Sequence, residues 1–418
     1  MEAVDKTLTD YATAAEAMAL LKVRPQTLYA YVSRGWIHSV AQKGLREKLY
    51  SREDLVRVGS RSLARSGHGP VAASAMNWGE PIFSTSITEI TDRGPRYRGQ
   101  LAADLVHSGA AFERVAELLW IGTLPSSAQW PVLRPPRELA GLTQTLATLN
   151  AGDNLLEAFA LVVLMLGLRR GPVAQRLLHG NPHAAAREVM QTLVGCCGFV
   201  SPAQSFQPMR KGQTLVDGLM HALAIAPTGD NREALRAVLI LMADHELPPG
   251  TLSARVVAST GGTLHSCLAS ALCATSGLDV GRMYGRVEDF LGRPRGKSVL
   301  VKRAQKLHAA GQRVPGFDHP LYPKGDPRAT LLLDIARARS QGDRSLRAIF
   351  GFLDEIRVSA GLLPRQELAV VVLCRAMGLP RQAAAALFAL GRTAGWVAHV
   401  EEQRAGGTLL RPRAQFVG

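Results

Sequence analysis

Two clusters of residues in this sequence could do chemistry. The first is Ala243-Asp244-His245-Glu246-Leu247, at the end of an apolar, helix-like run. The second is Val314-Pro315-Gly316-Phe317-Asp318-His319-Pro320-Leu321-Tyr322, which leads into Gly325-Asp326-Pro327-Arg328-Ala329. Each places a His on or beside a turn, and the second adds Arg328 nine residues after His319. An imidazole both donates and accepts hydrogen bonds near neutral pH, which suits it to polarising a carbonyl. A guanidinium can bind a carboxylate through two parallel hydrogen bonds. Two imidazoles and a guanidinium together read as a grip on a small keto-acid.

The rest of the chain must position those groups. At 418 residues, with 47% hydrophobic residues, it can bury a large core. Aromatics are few, while Ala, Leu and Gly are many, which suits close-packed helices. No apolar run reaches the roughly 18 to 20 residues of a membrane span. The start, Met1-Glu2-Ala3-Val4-Asp5, has neither the basic nor the apolar region of a secretory signal. The five cysteines form no metal-ligand spacing and read as reduced thiols, so a cytoplasmic location and no metal are expected. The formal charge of +15 attracts anions in general and does not choose among DNA, coenzyme A and dicarboxylates.

Residues 1–58 read as a separate module. Thr13 to Leu21 is expected to be a helix, with Thr13 as N-cap and Glu16 completing a capping box. After Val23-Arg24-Pro25 comes a second helix, Gln26 to Ser33, closed by Arg34-Gly35. A polar turn with Lys43 and Arg46 then joins two short strand-like stretches. This order resembles the MerR/excisionase type of winged helix-turn-helix. The resemblance implies that the second helix enters a DNA major groove, with Gln26, Thr27, Tyr29 and Arg34 as groove and backbone candidates. Residues 59–76 are linker-like in composition.

From Asn77 onward the sequence is mostly helical in pattern. A short strand is expected over Ser84 to Ile90. Arg96-Tyr97-Arg98-Gly99, Ala103-Asp104-Leu105 and the run Phe112 to Pro125 follow one another. Much later come Arg392-Thr393-Ala394-Gly395-Trp396 and the tail Leu410-Arg411-Pro412-Arg413-Ala414. With the two histidine clusters, these ordered motifs resemble the citrate synthase family. The resemblance implies a mainly α citrate synthase fold behind the small winged helix-turn-helix domain. Residues 77–280 and 379–418 would form a large helical domain and 281–378 a small one. It further implies domain closure around substrate and a homodimer or larger assembly.

The family condenses an acyl-CoA with oxaloacetate and hydrolyses the resulting thioester. The resemblance therefore gives each candidate residue a role. His245 would bind the keto-acid and His319 would polarise its carbonyl. Arg328, Arg392 and either Arg411 or Arg413 would hold carboxylates. Gly316, Phe317 and Asp318 would lie near coenzyme A, which is a co-substrate rather than a tightly bound cofactor. The acyl-CoA side departs from the family pattern. Val280 stands where a His is expected to donate to the thioester carbonyl, and losing one such donor costs about 10²–10³-fold in rate. Glu367, in Pro364-Arg365-Gln366-Glu367-Leu368, replaces the Asp that serves as general base. Asp318 replaces a Gly, and its carboxylate is expected to repel phosphates. The expected function is condensation of acetyl-CoA or propionyl-CoA with oxaloacetate, to citrate or a 2-alkylcitrate. The alternative is a degenerate paralogue that binds oxaloacetate or citrate and acts as a DNA-binding regulator, or as partner of an intact synthase. No membrane association is expected.

Overall fold

The structure, a computed structural model, describes residues 11–21, 23–33, 37–41, 48–51, 54–55, 83–149, 154–177, 182–277 and 280–412. The chain divides into two compact units, residues 1–84 with 411–418, and residues 85–410. The expected linker 59–76, and Arg34, Lys43, Arg46 and Arg413, lie outside the described residues.

In the first unit, β1 (Tyr11–Ala12) is followed by α1 (Ala14–Leu21), α2 (Pro25–Ser33), β2 (Ser39–Ala41) and β3 (Lys48–Ser51). The capping box is present at α1. The Thr13 N–H donates to Glu16 Oε2 at 2.9 Å, and the Glu16 N–H to Thr13 Oγ1 at 3.3 Å. Pro25 opens α2, where its missing N–H costs nothing. The three strands pair antiparallel in the order β1-β3-β2. Ala17, Leu28, Ile37, Tyr50 and Leu55 form a small core beneath them.

The second unit opens on an antiparallel sheet of β4 (Thr88–Thr91), β5 (Gly94–Tyr97) and β6 (Gln100–Leu101). The strand expected from Ser84 starts only at Thr88. The Ser86 N–H is taken by Glu402 Oε1 at 2.8 Å, so it has no strand partner. Helices follow: α3 (Ala102–His107), α4 (Phe112–Ile121), α5 (Glu138–Thr148), α6 (Leu155–Leu177) and α7 (Pro182–Cys196). Next come α8 (Leu215–Ala222), α9 (Gly229–Met242), α10 (Pro249–Ser259) and α11 (Leu264–Thr275). The last six are α12 (Gly281–Leu291), α13 (Lys297–Ala309), α14 (Pro327–Ala338), α15 (Arg344–Ala360), α16 (Gln366–Ala376) and α17 (Ala383–Gly406). Among the described residues, no helix is long and apolar enough to cross a membrane.

The unit is organised around α17. It is buried on all faces from Ala383 to Val400, the pattern of a helix enclosed by other helices. It packs against α4, α6, α7, α9, α10, α11, α12 and α16. Its small residues allow this. A Cβ at Gly395 would fall on Asp244 Oδ1 and the Ala243 carbonyl, and the Gly395 N–H donates to that carbonyl at 3.0 Å. The turn that carries His245 therefore rests directly on the α17 backbone.

Candidate active site

Three turns bring the imidazoles and guanidiniums together. The first ends α9: Ala243 caps the helix, and Glu246 takes a left-handed conformation at φ 57°. This reverses the chain just after His245. The second is the loop before α14. Asp326 is the N-cap of that helix and Pro327 its first residue, so Arg328 starts the helix facing inward and is only 2% exposed. The third is the entry to α16. Phe317 pairs with Pro364 in an antiparallel bridge, and the Arg365 N–H donates to the Gly316 carbonyl at 2.8 Å. This pairing ties the loop of His319 to the loop of Glu367.

His245 and His319 meet with ring centroids 5.3 Å apart. Tyr322 closes the group, its hydroxyl 3.0 Å from His245 Nε2. The Leu321 N–H donates to His319 Nδ1 at 3.1 Å. A neutral His319 therefore carries its proton on Nε2. Burial, with Arg328 beside it, pushes His319 down to about 4. Burial pushes His245 well below the usual histidine range, helped by Arg328, Arg392 and His319. Both rings are thus neutral near pH 7.

The two guanidiniums differ. Arg328 is paired fork to fork with Asp326, at 3.0 and 2.8 Å, and stacks over Tyr322. Arg392 lies over Phe388, and among the described residues only its Nε is hydrogen-bonded, to the Met242 carbonyl at 2.9 Å. Its terminal N–H groups are left to bind a carboxylate. Burial lowers the Arg392 pKa, and Arg328 adds to that. An anionic ligand would relieve both effects.

Behind His245 runs a buried polar chain that motif reading did not assign. His399 Nδ1 lies 3.2 Å from Arg255 Nη1, which makes it an acceptor, so His399 Nε2–H points at Asp244 Oδ2 at 3.3 Å. Arg255 continues to Glu402 at 2.7 Å and to Gln403 at 2.9 Å. Burial alone would raise the Asp244 carboxyl, yet His399 and Arg392 hold it below the usual carboxylate range. His265 is 2% exposed and packs on Gly167 of α6.

The residues expected to meet the acyl-CoA make contacts of other kinds. Val280 is the N-cap of α12, half-buried against the core, with an apolar side chain. Glu367 is buried at the start of α16, and both of its carboxylate oxygens are taken by Arg365, at 2.8 and 3.1 Å. Gly316 sits at φ 83° against Leu368 and Val287. Phe317 is buried, with its ring edge-on to Phe352. Asp318 adopts φ 55°, a region Asp tolerates better than most residues, and its Oδ1 accepts from the Leu363 N–H at 3.2 Å. These three make the contacts of a structural turn. The Asp318 carboxylate, on an exposed residue, holds the loop at Leu363 through one of its oxygens.

Other candidates belong to the first unit. Arg411 falls in the first unit and is exposed. On α2, Gln26 and Tyr29 are exposed and Thr27 is half-buried. Among the described residues, no group of three or more His, Cys, Asp or Glu is placed to hold a metal ion.

Fold and site together define a helical protein in which two neutral imidazoles, a tyrosine and two buried guanidiniums converge. A family model for the citrate synthase C-terminal domain matches residues 76–413. The chain is 26% identical over 370 residues to a 2-methylcitrate synthase of Shewanella oneidensis, covering 81% of this chain and 92% of that one. It is 27% identical over 363 residues to citrate synthase 2 of Bacillus subtilis, covering 80% and 93%. A match to the citrate synthase of Saccharolobus solfataricus is higher, 34% over 212 residues, but spans only 55% of that relative. Among solved structures, the citrate synthase of Pyrobaculum aerophilum superposes with a TM-score of 0.65 at 25% identity, covering 81% of this chain and 90% of that one. That of Thermoplasma acidophilum, in a ternary complex with carboxymethyl coenzyme A and oxaloacetate, gives 0.66 at 23% identity, covering 81% and 94%. The chain belongs to the citrate synthase family.

Proposed function

We propose that the protein condenses an acyl-CoA, acetyl-CoA or propionyl-CoA, with oxaloacetate to form citrate or a 2-alkylcitrate. One observation carries this reading: neutral His245 and His319 converge with Tyr322 and two buried guanidiniums. Oxaloacetate supplies two carboxylates and one keto oxygen. The free terminal N–H groups of Arg392 take one carboxylate, and Arg328 contributes positive charge for the other. His319 donates from Nε2 to the keto oxygen, where negative charge develops as the carbon is attacked. Glu367 removes a proton from the methyl or methylene carbon next to the thioester. The resulting enolate forms the new carbon–carbon bond, the keto oxygen becomes a hydroxyl, and water then releases the free thiol of coenzyme A. The test is incubation of purified protein with oxaloacetate and each acyl-CoA, with products identified by mass spectrometry. Citrate or 2-methylcitrate should form, and Glu367→Ala should abolish it. Intact substrates after prolonged incubation would refute the proposal.

A second reading is favoured by the acyl-CoA side alone. Glu367 is engaged by Arg365, and Val280 offers no donor to a thioester. A protein of this kind would bind the dicarboxylate without turnover. The helix–helix–strand order of the first unit, with Gln26 and Tyr29 exposed on α2, supports coupling such binding to DNA. In that case salt-sensitive DNA binding, altered by oxaloacetate, replaces product formation.

A further inference from the structure

We propose that Arg365 is a latch on Glu367, a positioning residue whose ion pair sets how readily this carboxylate takes a proton from the acyl substrate. The inference rests on the condensation reading above and adds the device that controls its rate. Both Glu367 oxygens accept hydrogen bonds from one guanidinium, Oε2 from Nε at 3.1 Å and Oε1 from Nη2 at 2.8 Å. Such fork-to-fork pairs are among the strongest polar contacts a protein makes. They hold the carboxylate engaged, whereas a general base must turn at least one oxygen toward a carbon-bound proton.

The surroundings keep the pair in place. The Glu367 side chain is 8% exposed and that of Arg365 is 22% exposed, so water screens the contact weakly. Both ends of the latch are anchored. The Arg365 backbone N–H is held by the Gly316 carbonyl. The neighbouring Gln366 N–H donates to Asp326 Oδ2 at 3.2 Å, and its side chain accepts from Tyr284 Oη at 2.9 Å. Arg365 is the N-cap of α16 but makes no side-chain cap there; among the described residues the guanidinium bonds only to the carboxylate two residues on. Releasing the pair leaves the backbone supports intact, and the Arg365 charge, which helps to hold His319 neutral, is a minor contributor there beside burial and Arg328. No atom is transferred by this step. Glu367 exchanges two guanidinium hydrogen bonds for contact with the substrate, and Arg365 is left to face solvent or a substrate oxygen.

Arg365→Gln removes the charge and cannot form the fork, and Arg365→Lys keeps a point charge without it. Thiol release is followed under saturating acyl-CoA, with kcat and the oxaloacetate KM measured separately. Each variant is first shown to be folded by its melting transition and by the rise in that transition with oxaloacetate. Arg365→Gln should raise kcat about tenfold or more, with the oxaloacetate KM unchanged within about twofold. Arg365→Lys should fall between it and the unmodified protein, and keeps the test open if Arg365→Gln does not fold. Glu367→Ala should be inactive in every background. If the unmodified protein turns over and neither Arg365 variant is faster, the latch is refuted while condensation stands. If thiol appears only with the Arg365 variants, the latch stands and the natural protein is a resting binder. If no variant releases thiol although oxaloacetate still binds, both the latch and the condensation reading fall.

Discussion

His319 is the residue on which the proposed keto-acid recognition turns. Its Nδ1 is occupied by a backbone N–H, so only Nε2 can donate outward. Its low pKa of about 4 keeps it neutral across the physiological range. This has a consequence for stability. Unfolded, the ring would titrate near the usual histidine value of about 6.5. Between about 6.5 and 4 the unfolded chain binds a proton that the native site refuses, so stability is present above that window and is lost as pH falls through it. His319→Gln should reduce the slope of unfolding free energy against pH there by up to about 1.4 kcal/mol per pH unit, measured by urea titration at several pH values. An unchanged slope would show that the ring is not held neutral. The sequence made His245, His319, Arg328 and Arg392 readable because each sits in a short motif of distinctive residues. It did not reveal Tyr322, His399 or the Arg365–Glu367 pair as parts of the site. Those depend on where side chains point, and neither spacing nor composition fixes that.

Among the elements, α17 and the turn after α9 form the support of the site. The turn lies flat on the helix at Gly395, and the Asp244–His399–Arg255 chain bonds one to the other. Gly395→Ala should destabilise the protein by about 1–3 kcal/mol, through overpacking against Asp244 and Ala243. It should also weaken oxaloacetate binding, because His245 follows Asp244 directly. Chemical denaturation and calorimetry would check the two effects, and wild-type stability in the variant would argue that the contact is loose. Helices were largely readable from their apolar periodicity and caps, including the capping box of Thr13 and Glu16. The expected strand over Ser84 to Ile90 was shorter in fact, because a carboxylate distant in sequence satisfies Ser86. The hydrogen bond made by Asp318 was not legible for a similar reason. Its backbone partner, Leu363, is far away in the chain.

At the scale of the whole molecule, the family, the helical body and the substitutions Val280 and Glu367 were legible from ordered motifs, while the engagement of Glu367 by Arg365 was not. Among the described residues the terminal N–H groups of Arg392 make no hydrogen bond, so an entering carboxylate would complete that guanidinium's contacts. Oxaloacetate should therefore stabilise the entire 85–410 unit, by about 2.7 kcal/mol at a hundred times its dissociation constant. Succinate, which lacks the keto oxygen, should do less at equal concentration. Equal shifts from both, read by thermal melting, would remove His319 from keto recognition. The most direct measurement remains oxaloacetate-dependent release of free thiol from acetyl-CoA and propionyl-CoA by the unmodified protein, beside Glu367→Ala. The account predicts slow but measurable release that requires oxaloacetate and vanishes in the variant. Absence of release from a folded protein that still binds oxaloacetate, or release that survives Glu367→Ala, would contradict it.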